Sequence, residues 1–440
     1  MTATRMAETM SPGLLKVAER AKRDPEGPLR SLAHLIDINA LERAYRRIRK
    51  DAAVGVDGIT KEQYGQELSK NLHELHERMK AMTYRHQPIR RVHIPKDEGK
   101  TRPIGISSME DKIVQEALRE ILEMAYEPQF RDVSHGYRPR RSAHDALRAL
   151  NGPLVRGEVR FVLEADITSF FDSIDRKMLM EMLQERIADG NLLRLIGKCL
   201  HVGILEGTEL SEPEVGTVQG SVLSPILGNV YLHHVLDVWY EREVKPRMRG
   251  KTTLARYADD FVICFEREDD AKRVMAVLGP RFERFGLKLH PEKTRLFPFH
   301  PPNMAEGDGQ KGQTFDFLGF TLYWRRTRAG RWMPAFKTRK TRLRRAIKAA
   351  EEWCRRHRHK SVKDQHVTLK RKLVGHYNYF GVNGNIRSLD KLVERVKQCW
   401  RKWLDRRSQR GRMNWERFQG VLRSYPMPIP RIRVQIWNAP

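Results

Sequence analysis

The chain has 440 residues and a formal net charge of +28, and its mean hydropathy is −0.63. A chain of this length can bury a large core and usually divides into two or three domains. No apolar run approaches the roughly 20 residues that a membrane span requires, and the N-terminus lacks a secretory apolar block. Four cysteines without a Cys-x-x-Cys pair argue against structural zinc and favour a reducing cytosol.

The positive charge is concentrated in the last part of the chain. Residues 321–440 carry 33 Lys and Arg against 7 Asp and Glu, whereas residues 1–320 carry 50 against 48. The same segment holds seven of the eight tryptophans. Basic side chains release counterions from a phosphate backbone, and aromatic rings stack on unpaired bases. We therefore expect a polyanionic partner and favour RNA over a membrane, while most of these tryptophans are expected to fill small helical cores.

Helical and strand-like patterns alternate along the chain. The spacing of apolar residues predicts helices over 31–50, 61–82, 110–126, 142–150, 176–188, 338–359 and 388–405. Strands are predicted over 89–94, 159–167 and 314–322, with a sharp turn at 95–100 and an exposed loop at 298–313. A further helical stripe consists of Leu369, Leu373, Tyr377 and Phe380. The proline-punctuated end, 426–440, cannot be regular helix.

Three carboxylates are the most informative residues of the chain. Asp259 and Asp260 fall at the tight turn of a predicted hairpin, because strand-like runs at 254–256 and 261–265 bracket them. Asp166 ends a buried strand far earlier in the chain, which leaves room for a helical crossover and a return strand. Neighbouring carboxylates repel each other and hard oxygen ligands suit Mg²⁺, so the trio predicts a site for two metal ions. The alternative for the pair is a solvated hairpin tip.

Other acidic residues near this block are weaker candidates. They are Asp172, Asp175 and Asp189. We expect these three to be helix caps or solvated surface rather than metal ligands.

Several blocks resemble the group II intron-encoded reverse transcriptases, also called intron maturases. The resemblance extends from about residue 31 to about residue 431 and comprises an N-terminal block, 31–60, followed by seven others in the same order. These are 94–104, 134–147, the block around Asp166, 216–225, Tyr257-Ala258-Asp259-Asp260, 286–294 and 317–320. Two departures, Val218 in place of a frequent proline and Arg140 in place of a frequent glycine, remove no functional group.

The resemblance implies an α+β fold of the right-hand polymerase type, with fingers and palm on antiparallel sheet, followed by an all-α thumb and a basic C-terminal segment. The expected divisions are an N-terminal extension with the start of the fingers at 1–88, fingers and palm at 89–325, a thumb or maturase domain X at 326–390, and a DNA-binding segment at 391–440. It implies an RNA-directed DNA polymerase that copies intron RNA into cDNA and assists splicing. The expected partners are the intron RNA, a DNA target or primer and dNTPs, in a bacterial cytoplasm.

The resemblance also gives roles to the acids. Asp166, Asp259 and Asp260 would be the catalytic residues, with two Mg²⁺ ions as cofactors, and Ile167 joins them among the implied metal ligands. A primer 3′-hydroxyl would attack the α-phosphate of the nucleotide, with one ion on the nucleophile and the other on the triphosphate.

Residues of the fingers and palm are expected to contact the incoming nucleotide. Lys96 and Arg102 are strong donors suited to the triphosphate, although without the context ordinary surface charge is an equal alternative. Phe171 resembles the steric gate whose ring occupies the position of a ribose 2′-hydroxyl. From the sequence alone Phe170 or Phe171 could equally be core, and one of the two is expected to be.

Two glycine-containing pairs complete the implied site. Gln219 and Gly220 would line the nucleotide pocket, where glycine allows close backbone approach. Leu318 and Gly319 resemble the primer-grip turn of the family.

The C-terminal third resembles the maturase thumb and DNA-binding segment at 372–380, 403–408 and 414–418. No counterpart of the paired-cysteine endonuclease domain of some relatives follows, so we expect something similar to class C introns, which can prime from nascent DNA strands. Two alternatives stay open. One is an RNA-binding maturase with little polymerase activity, which degenerate acids would favour. The other is a reverse transcriptase domesticated for defence or diversity generation.

Overall fold

A computed structural model of the chain describes residues 11–95, 101–207, 209–211, 215–217, 219–302, 313–407 and 412–437. The helices in these ranges are α1 Pro12–Arg23, α2 Ile38–Arg47, α3 Lys61–Gln66, α4 Leu68–Lys80, α5 Met109–Tyr126, α6 Ala143–Val155, α7 Phe170–Ser173, α8 Arg176–Arg186, α9 Gly190–Leu200, α10 Ser224–Leu232, α11 Glu268–Glu283, α12 Lys340–Arg356, α13 Val362–Phe380, α14 Ile386–Asp405 and α15 Trp415–Ser424. The strands are β1 Ile89–Pro95, β2 Thr101–Ile106, β3 Phe161–Ala165, β4 Ile204–Glu206, β5 Glu209–Ser211, β6 Thr252–Tyr257, β7 Asp260–Phe265, β8 Arg295–Pro298, β9 Phe315–Phe317, β10 Phe320–Arg326 and β11 Trp332–Thr338. None of the described helices is long and apolar enough to cross a membrane.

The central sheet has the strand order β6-β7-β3-β8, and all of its pairings are antiparallel. Side chains of a strand alternate between its two faces, and here both faces are buried. Leu163, Phe261 and Ile263 belong to the larger hydrophobic core, which includes α5, α8, α10 and α11. Val162 and Val262 face a second core shared with α6 and with β9 to β11. This two-sided burial explains why β3 and β7, apart from Glu164 and the first residue Asp260, are apolar on both faces.

Two smaller sheets flank the central one. The first has the order β2-β1-β4-β5, in which β1 pairs antiparallel with β2 and parallel with β4. The second is the antiparallel sheet β11-β10-β9. Mixed helices and antiparallel sheet confirm the α+β class.

The C-terminal helices α12, α13, α14 and α15 share a core of their own. It contains the predicted stripe residues Leu369, Leu373 and Tyr377, which confirms their inward orientation. Trp400 is fully buried, and its indole N–H donates to Gln365 Oε1 at 2.9 Å. Trp403 and the partly buried Trp353 belong to the same core, whereas Trp324 and Trp437 pack against the second core beside the sheets, so the expectation that most of the seven tryptophans fill helical cores is wrong. Trp415 differs, because 48% of its surface is exposed.

Three sequence predictions about elements are wrong in detail. The predicted strand 314–322 is broken by a two-residue turn at Leu318 and Gly319, which have φ angles of 51° and 78°. The helix expected over 31–50 starts only after Asp37, whose carboxylate caps α2 through the Ala40 N–H. The helix expected over 61–82 divides at Glu67, where the Asn71 amide side chain bonds the Tyr64 carbonyl that a continuous helix would use.

Candidate active site

The two neighbouring acids lie at a hairpin turn, as the sequence predicted. β6 pairs with β7 up to Tyr257 and Asp260, which leaves Ala258 and Asp259 as a two-residue connection. Ala258 has a φ of 57°, in the left-handed region that non-glycine residues rarely adopt. Two-residue hairpin turns of the primed types need positive φ at this position, since their twist matches that of the strands. We call residues 257–260 the acidic turn.

Asp166 follows β3, the strand that pairs with β7 on the side away from β6. Ala165 lies opposite Phe261, and because the strands are antiparallel, the residue after Ala165 and the residue before Phe261 bring Asp166 opposite Asp260 on the same face of the sheet. Like charges placed opposite each other across two strands destabilise the pair. The sheet therefore brings the three predicted acids together despite their separation in the chain.

The electrostatics of the trio reflect this crowding. The pKa of Asp260 is raised to about 7, first by partial loss of surrounding water and then by the negative charges of Asp259 and Asp166. Asp260 is nevertheless an exposed residue, so water screens part of this repulsion. Burial and the neighbouring Asp166 also raise the pKa of Asp259, against the opposing charges of Arg102 and Arg256. Each carboxylate makes ionisation of the next more costly, which is the condition that a bound cation relieves.

A lysine provides positive charge at the edge of this group. Lys293 Nζ lies 2.5 Å from Asp166 Oδ2. Main-chain hydrogen bonds hold the segment before Lys293 against the end of β3. The His290 N–H donates to the Asp166 carbonyl, and the Thr168 N–H donates to the Lys288 carbonyl. Ile167 is buried between them, opposite Leu289, and neither hydrogen bond uses its carbonyl. Sequence reasoning placed Lys293 in a family block but gave it no role.

The residues present suit divalent magnesium, although they form no closed cage. Within the described ranges, no three His, Cys, Asp or Glu side chains are close enough to hold one ion by themselves. Mg²⁺ is usually held by one or two carboxylates together with water and substrate phosphates. Mutually repelling carboxylates, with an ammonium already attracted to one of them, match that chemistry.

This part of the chain has known relatives. A family described as "Reverse transcriptase (RNA-dependent DNA polymerase)" matches residues 94–322, more than half of the chain. The chain belongs to the reverse transcriptase family.

Individual relatives refine this assignment. Protein YkfC of Escherichia coli (strain K12) is 31% identical over 309 residues, which cover 63% of this chain and 77% of YkfC. Group II intron-encoded protein LtrA of Lactococcus lactis subsp. cremoris is 37% identical over 212 residues, 47% of this chain and 35% of LtrA. The 91 kDa protein in the cob intron of Schizosaccharomyces pombe is 36% identical over 218 residues, 48% of this chain and 27% of that protein. These names confirm the resemblance to the group II intron branch of reverse transcriptases and maturases, while the chain spans only about a third of LtrA.

The cationic side of the reverse transcriptase site is only partly described. Lys96 lies outside the described residues. Arg102 is on β2, opposite Ile94 of β1. Partial loss of solvent raises the pKa of Asp259 and of Asp172, and the Arg102 guanidinium opposes the rise in both. Its charge is therefore within electrostatic reach of the acidic turn.

The phenylalanine pair and the glutamine–glycine pair lie at the junction between β2 and the central sheet. Phe170 is 4% exposed and belongs to the core, as expected of one of the two rings. Phe171 is half-buried, with its ring centroid 5.1 Å from that of Phe170. The Gln219 carbonyl accepts from Gly105 of β2 at 2.7 Å, and Gln219 lines a cavity of about 320 Å³. A Cβ at Gly220 would lie 2.7 Å from the Gly105 carbonyl oxygen, so close approach requires glycine there.

The turn at Leu318 and Gly319 is held by the C-terminal helices. The Tyr379 hydroxyl of α13 donates to the Leu318 carbonyl at 2.9 Å. Burial raises the pKa of the Tyr379 phenol to about 12, and Tyr257 and Asp260 add to the rise. The tyrosine therefore links this turn to the neighbourhood of the acidic turn, a contact that no local sequence pattern indicated.

Two of the three weaker acidic candidates are helix caps. Asp175 caps α8 by accepting from the Met178 N–H at 2.9 Å. Asp189 caps α9 and also accepts from the N–H groups of Leu32 and Ala33. Both confirm the capping expectation. Asp172 is exposed and lines the same cavity as Gln219.

Proposed function

We propose that this reverse transcriptase is an active RNA-directed DNA polymerase that copies intron RNA into cDNA and binds that RNA to assist splicing and mobility. The observation that carries the proposal is the convergence of Asp166, Asp259 and Asp260 at one end of the central sheet. A scaffold retained only for RNA binding has no need of three mutually repelling carboxylates, because each costs stability.

In this proposal Asp166 and Asp259 would hold the metal ions, and Asp260 and the Ile167 main chain would complete the site. Two Mg²⁺ ions, when bound, would stabilise the attacking and leaving oxygens of an in-line phosphoryl displacement. Lys293 neutralises part of the carboxylate charge between catalytic cycles. Asp260, with a pKa of about 7, would lose its proton as the site is loaded.

The incoming nucleotide would lie between β2 and the acidic turn. Arg102, with Lys96, would bind the triphosphate, since guanidinium groups form paired hydrogen bonds with phosphate oxygens. Phe171 would exclude a ribose 2′-hydroxyl from the pocket lined by Gln219 and Gly220. The support is positional, because the Phe171 carbonyl accepts from the N–H of Thr217, two residues before Gln219, and Gln219 accepts from Gly105 of β2.

The primer strand would pass the Leu318–Gly319 turn, which α13 holds through Tyr379. We propose fingers and palm over 89–325, with the N-terminal extension and the start of the fingers at 1–88 before them. The thumb would occupy 326–390 and the DNA-binding segment 391–440. The location would be the bacterial cytoplasm.

RNA and DNA binding would use the basic C-terminal surface. α12 turns Cys354 and Ala350 inward and carries five exposed cations in its first three turns. They are Lys340, Arg342, Arg344, Arg345 and Lys348. The half-exposed Trp415, with the Arg401 guanidinium 4.6 Å from its ring centroid, offers a surface on which a base could stack.

Primer extension on a homopolymer RNA template tests the proposal. Asp259→Asn should abolish Mg²⁺-dependent cDNA synthesis and leave RNA binding intact, because it removes a charge from the site without changing the basic surface. Asp269→Asn is the matched control, since Asp269 is an exposed acid paired with Arg267 at the start of α11. Polymerisation by a pure Asp259→Asn preparation at the parent rate would refute the assignment.

A maturase with little polymerase activity is the second candidate. The contact between Lys293 and Asp166 favours it, since an ammonium group can satisfy the carboxylate without a metal ion. An inactive parent chain that binds structured intron RNA tightly would decide for this alternative.

A further inference from the structure

Arg256 is a fully buried cation on the opposite face of the sheet from Asp166 and Asp260. It pairs with Phe261, so its side chain leaves β6 on the face of the larger core. A buried charge is costly unless it is paired and hydrogen-bonded. Nε and Nη2 of Arg256 lie 2.7 and 2.5 Å from the two carboxylate oxygens of Asp237, and both side chains are 0% exposed.

The remaining donors of the guanidinium reach the acidic turn and its neighbours. Nη1 donates to the Ala258 carbonyl at 3.1 Å and to Asn229 Oδ1 at 3.0 Å. Nη2 also donates to Ser134 Oγ at 2.7 Å. Since Ala258 immediately precedes Asp259, one side chain from the back of the sheet holds the main chain of the turn.

A second segment, 133–136, is fastened against the same turn. Main-chain hydrogen bonds of 2.8 Å join Arg256 to Val133 and to His135. The Asn229 amide donates to the Gly136 carbonyl at 2.8 Å. A Cβ at Gly136 would lie only 2.3 Å from the Ala258 nitrogen, so main chain packs directly on main chain.

The acidic partner is supplied by an unusual helical turn. Asp237 is the last residue of a π-helical segment, His233–Asp237, in which the Val238 N–H donates to the His233 carbonyl five residues back. Single π-helical turns are rare and occur frequently at functional sites. This turn follows α10, which supplies Asn229, so one helical stretch contributes two of the partners of Arg256.

We propose that Arg256, Asp237, Asn229 and Ser134 form a clamp that positions Asp259. Ala258 is held at a φ of 57°, a conformation that persists only when the surroundings determine it. The clamp fixes the Ala258 conformation from the buried face of the sheet. The opposite face, which carries Asp166 and Asp260, stays open. The clamp residues are positioning residues, because they act through the Ala258 main chain and touch no reacting atom. Their effect on catalysis rests on the proposed function.

Hydrogen exchange measured by mass spectrometry tests the clamp without any activity. Arg256→Lys keeps a cation for Asp237 but cannot make the same set of hydrogen bonds. Ser134→Ala removes a single bond and carries less risk of misfolding. Both should accelerate amide exchange in peptides covering 254–265, with the lysine variant about 10- to 100-fold faster and the alanine variant less affected.

Metal affinity supplies the second readout. Loss of an outer partner of a metal ligand typically weakens metal affinity or activity by about 10- to 100-fold. Mn²⁺ binding to the full chain, followed by electron paramagnetic resonance, should weaken to this extent in Arg256→Lys. The Mg²⁺ concentration for half-maximal primer extension should rise, while affinity for the template–primer stays unchanged.

Arg186→Lys is the matched control, since Arg186 is 1% exposed and donates to main-chain carbonyls of Ala125 and Asp24, away from the turn. It should lose stability without altering exchange at 254–265 or Mn²⁺ affinity. Unchanged exchange in both Arg256→Lys and Ser134→Ala, or an equal change in Arg186→Lys, would overturn the clamp. A parent chain that fails to polymerise while the exchange result holds would refute the proposed function and leave the clamp standing.

Discussion

Gly136→Ala is expected to displace the acidic turn and to slow polymerisation strongly. An added Cβ would meet the Ala258 nitrogen at 2.3 Å and the Tyr257 carbonyl carbon at 2.9 Å, where ordinary contact begins at 3.4 Å. Both are main-chain atoms, so no side-chain rotation can relieve the overlap. The two segments must therefore separate by about 1 Å, the scale of displacement that can cost about 100-fold in rate. This loss corresponds to about 2.7 kcal/mol of transition-state stabilisation.

Single-turnover primer extension at saturating dNTP measures this effect on the chemical step. Gly375→Ala is the matched control, because Gly375 is exposed within α13 and its added Cβ would meet no neighbouring atom within 4 Å. The control should retain the parent rate and gain about 0.4–1 kcal/mol of stability from the reduced freedom of the unfolded chain. A Gly136→Ala protein with the parent rate would refute the packing argument.

Three further outcomes are expected. Phe171→Ala should admit ribonucleotides, measured as the ratio of rNTP to dNTP incorporation, and an unchanged ratio would place the gate elsewhere. In metal-free buffer the free energy of unfolding should fall as the pH rises from about 4 to about 7 and then level off, because over this range folded Asp260 retains a proton that the unfolded chain has released. Asp260→Asn should flatten that fall in urea titrations, and a parent-like slope would argue against a raised pKa. RNA affinity should drop by about 10³- to 10⁵-fold between 50 and 200 mM salt if 6–10 phosphates are neutralised, and a flat response would exclude a phosphate-binding surface.

Local patterns in the sequence were sufficient for the acidic hairpin and its partner strand. Short apolar strand-like runs identified β3 and β7, and the tight connection between the hairpin strands fixed Asp259 and Asp260 at its tip. We predicted β3 beside the hairpin because Asp166 could share a metal site with Asp259 and Asp260 only if these strands were neighbours. The helical stripes of the C-terminal core were equally local, because they repeat on one face of each helix.

Contacts between distant elements could not be read in the same way. Arg256 and Asp237 are separated by a loop and belong to a strand and a π-helical turn, so no spacing rule pairs them. A lone arginine within an apolar strand next to the acids was the available signal. Tyr379 reaches Leu318 across 61 residues, and the strand at 314–322 was predicted unbroken because its apolar run hides the left-handed turn.

Anomalous diffraction from Mn²⁺ tests the central claim most directly, in crystals of the protein with an RNA template, a DNA primer and a non-hydrolysable dNTP. The account predicts metal peaks within roughly 2.0–2.2 Å of carboxylate oxygens of Asp166 and Asp259, with the triphosphate directed towards Arg102. Peaks that avoid these carboxylates, or a nucleotide bound away from the acidic turn, would contradict it.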